Sequence, residues 1–365
     1  MTIPAPPGCP SCHLVVGPDD RFCENCGSLL RERRAGTALA RASSMMACDD
    51  CGHPGSREAA RALAVLQGGP YCLRCGALLP DGTDHFEADL GGAVLISDVG
   101  LVHSRNEDAV AVAVLDGSEA GSPPVGVAAV VCDGVSTVSR PEEAALSAVE
   151  AALDALLQGL STGMSTRNNH LAAAATATRA VSALDTRGEV DPPACTYVAT
   201  TLTESVGGPP DLAVSWIGDS RAYWLSRDPG RSEQLTEDDS PAADADRRAL
   251  IKEVTAAGRP QEHGLTRCLG CGNADDPDMG RPHIFIRAID RPGVLLLCSD
   301  GLWNELPSAQ QLADIVFAAD SQVVAVRALN SRALDPGGED NITIVLIEVP
   351  APVLIEVPAT RGTTS

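Results

Sequence analysis

Four aspartates lie at the ends of apolar runs that are typical of buried β-strands. Asp133 ends the run VGVAAVVCD, Asp219 lies in WIGDSR, Asp300 ends GVLLLCSD, and Asp340 precedes NITIVLIEV. Carboxylates that are brought together at strand ends raise one another's pKa unless a cation lies between them. The recurrence of one residue type at four strand ends therefore indicates that these ends converge on bound metal.

An adjacent acidic pair, Glu107 and Asp108, ends the stretch SDVGLVHSRNED. Hard oxygen ligands without histidine or cysteine select Mg²⁺ or Mn²⁺ over zinc. Two such ions about 3.5–4 Å apart can share a water, lower its pKa and hold a phosphoryl oxygen in line for attack. In such a site one acid of the pair would ligate an ion and the other would orient a coordinated water. A solvated turn is the simpler alternative for the pair alone.

Cysteines divide the chain into two unequal parts. Of the 13 cysteines, eight lie in the first 75 residues as the Cys-x-x-Cys pairs Cys9/Cys12, Cys23/Cys26, Cys48/Cys51 and Cys72/Cys75. Each pair can direct two thiolates at one ion, and two pairs complete a tetrahedral sulfur site. We expect two zinc ribbons that hold two Zn²⁺ ions. Disulfides or redox chemistry are the alternative, which the lack of an export signal disfavours.

Composition narrows the class of partner. The 365 residues are 44% apolar, which is enough for one large domain with a buried core and smaller modules beside it. The net charge of −22 would repel nucleic acids and anionic membrane surfaces. No apolar run approaches the roughly 20 residues that cross a bilayer. We expect a cytoplasmic protein that binds metal ions and other proteins, and neither nucleic acid nor membrane.

From about Gly91 onward the pattern predicts a sheet-rich core. Runs rich in β-branched residues alternate with turns, and several are apolar on both faces. One helix is predicted from Pro141 to Gly159, with acidic residues in its first turn, and a second from about 168 to 184. Helices between strands indicate a layer of helix that covers one or two sheets. Residues 28–47 join the two cysteine-rich parts and are either helical or flexible.

Eight landmarks occur in one order: SDVGLVHSRNED, VVCDGVS, CTYVATTL, WIGDSRAYWL, LTEDDS, LTRCLG, LLLCSDGLW and DNITIV. In this order they resemble the metal-dependent serine/threonine protein phosphatases of the type-2C class, across residues 91–349. The resemblance implies an α+β fold, a four-layer α-β-β-α sandwich of two antiparallel sheets. It also implies two Mn²⁺ or Mg²⁺ ions, with a third, weaker metal position.

The first 80 residues are similar to zinc-ribbon modules of prokaryotic regulatory proteins, which implies units for interaction or tethering. The combined interpretation divides the chain in a simple order. Residues 1–35 form ribbon one, 36–47 a connector, 48–80 ribbon two, 81–90 a linker, 91–350 the phosphatase domain, and 351–365 a tail.

The family resemblance also implies a role for each acid. Asp133 would bridge the two ions, and Glu107 and the Gly134 carbonyl would serve one of them. The second ion would take Asp300 and Asp340. Asp108 would bind through metal-bound waters. Asp219 would serve a third metal position, which it would share with Asp300. Asn341 and Ser220 would support the site by hydrogen bonding.

One position departs from the family pattern. Where most relatives carry an arginine four residues before the glutamate, to hold substrate phosphate, this chain has His103. A histidine can donate a hydrogen bond and carries charge only below its pKa, but it lacks the bidentate fork of arginine. We expect weaker or pH-dependent phosphate binding, with Arg105 as the neighbouring candidate to compensate.

Cys268 and Cys271 form a fifth Cys-x-x-Cys pair, in TRCLGCG. A single pair supplies only half of a zinc site, so idle thiols, a redox switch and a shared metal ligand remain open. The cysteines in apolar strands, Cys132, Cys195 and Cys298, are interpreted as core packing.

Three function classes follow from these patterns. The first is a hydrolase that removes phosphate from phosphoserine and phosphothreonine in proteins, with zinc ribbons that choose partner or location. Its substrates would be those of a serine/threonine kinase. The second is a catalytically weak scaffold that uses the same fold to bind regulatory proteins. A third is hydrolysis of a small phosphorylated metabolite or nucleotide.

Overall fold

The computed structural model describes Asn25 and residues 32–39, 83–116, 125–184, 191–204, 209–240, 265–271 and 280–349. The eight cysteines of the predicted zinc ribbons and the tail from residue 351 lie outside these residues. The two ribbons therefore stay a prediction.

Twelve strands of the described residues are numbered in chain order. They are β1 (Glu32–Gly36), β2 (His85–Asp89), β3 (Ala93–Asp98), β4 (Ala109–Leu115), β5 (Gly126–Cys132), β6 (Tyr197–Thr203), β7 (Asp211–Ile217), β8 (Arg221–Leu225), β9 (Glu233–Gln234), β10 (His283–Ala288), β11 (Gly293–Cys298) and β12 (Ile342–Val349). One sheet has the order β1-β4-β5-β6-β7-β10, and the other has the order β2-β3-β12-β11-β8-β9. All the strand pairings are antiparallel.

Five helices of the described residues lie on the outer faces of these sheets. They are α1 (Pro141–Ser161), α2 (Thr166–Ser182), α3 (Asp300–Trp303), α4 (Ala309–Ala318) and α5 (Gln322–Leu334). Helices α1 and α2 pack on the first sheet, and α3, α4 and α5 pack on the second. The predicted four-layer α-β-β-α sandwich is confirmed, and α1 begins at Pro141 as the sequence predicts.

Strand β4 shows how side-chain size builds the layers. Ala109, Ala111 and Ala113 face α1 and α2, whereas Val110 and Val112 face the second sheet. Small side chains let the alanine-rich helices approach the sheet closely, and the branched valines fill the space between the sheets. Both faces of β4 are buried, so the strand reads as a continuous apolar run instead of an alternating one.

The predicted domain boundaries differ from the structure at both edges of the sandwich. Strand β1 covers residues that were assigned to ribbon one and the connector, and it pairs with β4 along its whole length. Strand β2 lies in the predicted linker 81–90 and pairs with β3. Both are edge strands, held by pairing more than by their own apolar content. The sandwich therefore includes residues 32–36 and 85–89, upstream of the predicted start at residue 91.

The three strand cysteines, Cys132, Cys195 and Cys298, are fully buried, as the sequence predicts for core packing. Among the residues that the structure describes, no helix has the length and apolar content needed to cross a membrane.

Candidate metal centre

The predicted acids of the first sheet lie at one end of its strands. Glu107 and Asp108 come directly before β4, and Asp133 comes directly after β5. The antiparallel register places Ala109 opposite Cys132. The acidic pair and Asp133 therefore leave the sheet side by side, at the same edge.

The second sheet brings its acids to the same end of the sandwich. Asp300 follows β11 and Asp340 precedes β12, and the two strands pair with Cys298 opposite Ile344. Asp219 lies in the turn between β7 of the first sheet and β8 of the second. This crossing turn is why Asp219 reaches an edge that both sheets share.

Burial and mutual repulsion shift the protonation of these acids. Asp108 is 4% exposed. Burial, together with the charges of Asp340 and Asp300, raises its pKa to about 7, although hydrogen bonds from Ser299 and Thr343 act in the opposite direction. The pKa of Asp133 rises well above its ordinary value, first through burial and then through the charge of Asp108. In the absence of a cation, the buried edge favours protonated carboxyl groups.

The other two acids respond to the same edge. Burial, followed by the charge of Asp340, raises the pKa of Asp300 to about 6, and a hydrogen bond with Asp133 opposes this rise. Burial, followed by the charges of Asp300 and Asp238, raises the pKa of Asp219 to about 7. Asp300 thus interacts electrostatically with acids from both sheets. Such a position fits the expectation that Asp300 serves two metal positions.

Two features of the edge fit a hard divalent cation. The buried Oδ1 atom of Asp108 has no hydrogen-bond partner among the described residues, whereas its Oδ2 accepts a hydrogen bond from Ser299 Oγ at 2.7 Å. Gly134 fits closely against the chain, because a Cβ atom there would lie 2.7 Å from the Glu107 carbonyl oxygen. An unpartnered carboxylate oxygen among acids is the ligand chemistry that Mg²⁺ and Mn²⁺ prefer.

The acids at this edge approach one another, and Asp300 forms a hydrogen bond with Asp133. Within the described ranges, no three His, Cys, Asp or Glu side chains already form a compact group that could hold a metal ion. The residues therefore fit divalent ions by donor type and burial.

Asn341 and Ser220, predicted to support the site, do make hydrogen bonds at this edge. Asn341 Nδ2 donates to the Val99 carbonyl at 2.8 Å, and its Oδ1 accepts from the Glu107 amide at 2.7 Å. Ser220 Oγ lies 2.6 Å from Thr196 Oγ1, which accepts a hydrogen bond from the Asp133 amide at 3.0 Å. These contacts fix the backbone on both sides of the acids.

The structure places His103 at this edge, with Nε2 3.5 Å from Asp340 Oδ1. Its side chain is 27% exposed, so that it is open to solvent and to a ligand. The carbonyl of Arg105 accepts a hydrogen bond from Asn341 at 3.3 Å, which ties this segment to β12. Contact of either side chain with phosphate stays a prediction.

Several residues that position the acids escaped sequence reasoning. Ser299 orients Asp108, and Thr196 holds the Asp133 amide. Asp239 accepts a hydrogen bond from the Gly218 amide at 3.0 Å, and Trp303 donates to the Asp219 carbonyl at 2.9 Å. All four residues lie within the eight sequence landmarks. Their polar or hydrogen-bonding side chains near the acids were the signal that could have identified them.

Comparison with known proteins agrees with this geometry. The sequence model of the family described as protein phosphatase 2C matches residues 102–332, which is more than half of the chain and includes most of the acids above. The chain belongs to the protein phosphatase 2C family. Glu107, Asp133, Asp219 and Asp300 lie within the matched range, and Asp340 lies just beyond it.

Curated relatives of this phosphatase 2C chain include bacterial phosphatases. A serine/threonine phosphatase of Listeria innocua is 32% identical over 151 residues, which is 41% of this chain and 57% of that protein. A putative protein phosphatase of Mycoplasma pneumoniae is 29% identical over 153 residues, which is 42% of this chain and 56% of that protein. The chain thus spans little more than half the length of these relatives.

Solved structures show the same fold. A serine/threonine phosphatase of Mycobacterium smegmatis, in complex with cacodylate, is 30% identical with a TM-score of 0.51, over 72% of this chain and all of that one. A serine/threonine phosphatase of Staphylococcus aureus is 21% identical with a TM-score of 0.55, over 73% of this chain and 98% of that one. The second similarity supports the fold alone.

Proposed function

We propose that the chain hydrolyses phosphoserine and phosphothreonine in proteins with a dinuclear Mn²⁺ or Mg²⁺ centre. The observation that carries the proposal is the buried Oδ1 of Asp108, unpartnered within the described residues, at an edge where acids from both sheets raise one another's pKa. Bound cations would offset the cost of burying several carboxylates close together. Family membership and the cacodylate-bound Mycobacterium phosphatase support the same reaction class.

The residues that would hold the ions are those assigned from the motif order. They are Glu107, Asp133 and the Gly134 carbonyl for one ion, Asp300 and Asp340 for the other, and Asp219 for a third. When bound, the ions supply positive charge to phosphate oxygens and lower the pKa of a coordinated water.

Asp108 has the position of a proton acceptor at this edge. Ser299 fixes one of its carboxylate oxygens, and the other is left to accept a hydrogen bond from water. Asn341 holds the Glu107 amide and the Val99 carbonyl together, so the acidic pair cannot swing away from β12. His103, which is partly exposed beside Asp340, would donate a hydrogen bond to a phosphate oxygen.

The N-terminal modules extend the proposal beyond hydrolysis. Two zinc ions would be held by Cys9, Cys12, Cys23, Cys26, Cys48, Cys51, Cys72 and Cys75. Such closed sulfur sites leave no coordination position for chemistry, so the modules would choose partner or location. The substrates would be the phosphorylated proteins of a serine/threonine kinase in the cytoplasm.

A turnover assay tests the function. We expect hydrolysis of p-nitrophenyl phosphate and of a phosphothreonine peptide with Mn²⁺ or Mg²⁺, and none with EDTA. Asp133→Ala and Asp300→Ala each remove a ligand, so turnover falls by about a hundredfold or more. Asp290→Ala is the matched control, because Asp290 is exposed at the opposite end of β11.

The outcomes separate the function classes. Wild type without turnover on either substrate would favour the scaffold. Turnover of small phosphate esters without any turnover of the peptide would favour a metabolite phosphatase. Equal turnover in Asp133→Ala and wild type would refute the metal centre.

A further inference from the structure

A turn that the proposed mechanism does not use carries the pair Cys268 and Cys271. Their Cα atoms are 5.2 Å apart, a separation that a disulfide can span. Cys268 is 2% exposed, whereas Cys271 is partly exposed. Among the residues that the structure describes, no third ligand joins the pair to form a metal site. The pair is therefore not half of a described metal site.

Leu269, one of the two residues between the cysteines, connects this turn to the interior. The Leu269 amide donates to the Cys195 carbonyl at 2.8 Å, and the Cys195 amide donates to the Leu269 carbonyl at 3.0 Å. Leu269 is 1% exposed and packs in the core between the first sheet and its helices. The turn is thus attached to the sandwich by a pair of backbone hydrogen bonds.

The same segment continues the connection to the acids. Cys195 lies opposite Gly134 in a second antiparallel bridge. On either side of it, the Val135 amide donates to the Ala194 carbonyl at 3.0 Å, and the Thr196 amide donates to the Asp133 carbonyl at 2.8 Å. A three-segment ladder therefore runs from the cysteine turn, through residues 194–196, to the Asp133–Gly134 turn.

Both ends of this ladder are closely packed. Gly270 has a φ of +84°, and a side chain there would collide with the Pro193 carbonyl oxygen. At the other end, a side chain on Gly134 would collide with Glu107 and Pro141. Because the packing around the turn is close, a change in the shape of the cysteine turn should displace residues 194–196.

We propose that Cys268 and Cys271 form a reversible thiol–disulfide site whose oxidation state sets the affinity of the Asp133–Gly134 turn for divalent metal. The proposal rests on the proposed function for the metal role of that turn. The disulfide restricts the conformations of its turn and keeps Leu269 in the ladder, which holds the Gly134 carbonyl in place. Reduction releases this restraint, so the reduced protein binds Mn²⁺ more weakly.

Hydrogen peroxide is a sufficient oxidant. The thiolate of the more exposed Cys271 attacks one peroxide oxygen, which gives a sulfenic acid and releases water. The Cys268 sulfur then attacks the sulfenic sulfur, the S–S bond forms and a second water leaves. Two thiols lose two protons and two electrons, and one peroxide is reduced to two waters. A thiol or phosphine reductant restores the pair.

The experiment compares the full-length wild type with Cys268→Ser/Cys271→Ser and with Cys271→Ser alone. Each is treated with hydrogen peroxide followed by catalase, or with a phosphine reductant, and Mn²⁺ affinity is measured from the electron paramagnetic resonance of free Mn²⁺. Mass mapping of the tryptic peptide that begins at Cys268 reports the disulfide. Circular dichroism confirms that the variants fold, and the predicted ribbons are the same in all three proteins.

We expect oxidised wild type to bind Mn²⁺ about fivefold or more tightly than reduced wild type, and both variants to show no such difference. Equal Mn²⁺ affinity in the two states of wild type would overturn the coupling, as would variants that respond like wild type. A tryptic peptide that keeps both thiols after peroxide would overturn the site. Absence of Mn²⁺ binding in every state would instead refute the metal centre, and the coupling with it.

Discussion

The two carboxylate oxygens of Asp108 have different surroundings. Oδ2 accepts a hydrogen bond from the fully buried Ser299, and Oδ1 has no partner among the described residues. One oxygen orients the group and the other is left for a ligand. This asymmetry cannot be read from the sequence, because Ser299 is adjacent to Asp300 in the chain and meets Asp108 only after β4 and β11 reach the same edge.

We propose that His103 contacts substrate phosphate, so its side chain should affect the strength of phosphate binding. We expect His103→Arg to lower KM for a phosphothreonine peptide at pH 7.5 by about tenfold, because a permanently charged fork forms stronger, bidentate hydrogen bonds to phosphate than imidazole does. The measurement is steady-state hydrolysis with Mn²⁺ held constant. Gln311→Arg adds the same charge at an exposed position of α4 and is the control. An unchanged or higher KM would argue against phosphate contact at residue 103.

A buried histidine away from the metal edge makes stability depend on pH. The ring nitrogens of His170 lie 2.7 Å from Ser215 Oγ and 2.9 Å from Thr201 Oγ1, and burial lowers the His170 pKa to about 4. The folded chain therefore keeps the ring neutral, while the unfolded chain binds a proton below about pH 6.5. Stability is present above that pH and is lost as the pH falls towards 4.

We expect wild type to lose about 2 kcal/mol more unfolding free energy between pH 7.5 and 5.0 than His170→Gln does. Urea denaturation at the two pH values, without divalent metal, measures this difference. The acids at the metal edge titrate in both proteins, so the comparison isolates residue 170. Parallel pH dependence in the two proteins would contradict the assignment.

At the scale of elements, the turn between β7 and β8 is held from several sides. Asp239, which is 3% exposed in its side chain, accepts hydrogen bonds from the Gly218 amide and from His283 Nε2, each at 3.0 Å. Arg267 lies 3.4 Å from the same carboxylate. Burial alone would raise the Asp239 pKa, but these partners together hold it below its ordinary value. Asp219 therefore sits on a turn whose position depends on Asp239.

We expect Asp239→Asn to lower the unfolding free energy by about 2 kcal/mol, because it removes the charge that Arg267 and His283 face in a buried setting. The displaced turn should also raise the Mn²⁺ concentration needed for half-maximal turnover. Asp228→Asn is the control, since Asp228 also faces arginines but is 63% exposed in its side chain, where ion pairs contribute little. Equal losses in the two variants would show that burial of Asp239 has no special effect.

The sequence predicted the central elements much better than the outer ones. The run at β5 and the helix from Pro141 were predicted within a few residues, because apolar continuity and helix-start signals are local. Strands β1 and β2 were missed, because ERRAG and HFEAD are not apolar runs and become strands only by pairing with β4 and β3. The acids could be singled out from the sequence because their strand-end positions are local, whereas Thr196 and Asp239 act through contacts that only the fold creates.

At the scale of the whole molecule, β1 joins the N-terminal region to the sandwich. It pairs with β4, and Arg33 and Arg34 contact Asp116 at 2.6 Å and Asp154 at 2.7 Å. A chain that starts at residue 40 lacks this strand and exposes the backbone edge of β4. We expect its unfolding midpoint to lie about 5 °C or more below that of a chain that starts at residue 28.

The chain that starts at residue 28 is the matched control, because it loses Cys9, Cys12, Cys23 and Cys26 but keeps β1. Zinc measured per chain should fall from two in the full-length protein to one in both shortened chains. Thermal unfolding and zinc content thus separate the strand from the ribbon. Equal midpoints for the two shortened chains would mean that β1 adds no stability.

The position of β1 constrains how such a gene can recombine. Accessory modules are usually exchanged as blocks at a junction outside the catalytic fold. Here a crossover between residues 37 and 82 would separate the sandwich from its edge strand β1. The upstream cysteine module can be swapped only by a cut before Glu32, and the downstream one only as an insertion between β1 and β2. Among homologues, the second cysteine module should therefore accompany the sandwich more often than the first module does.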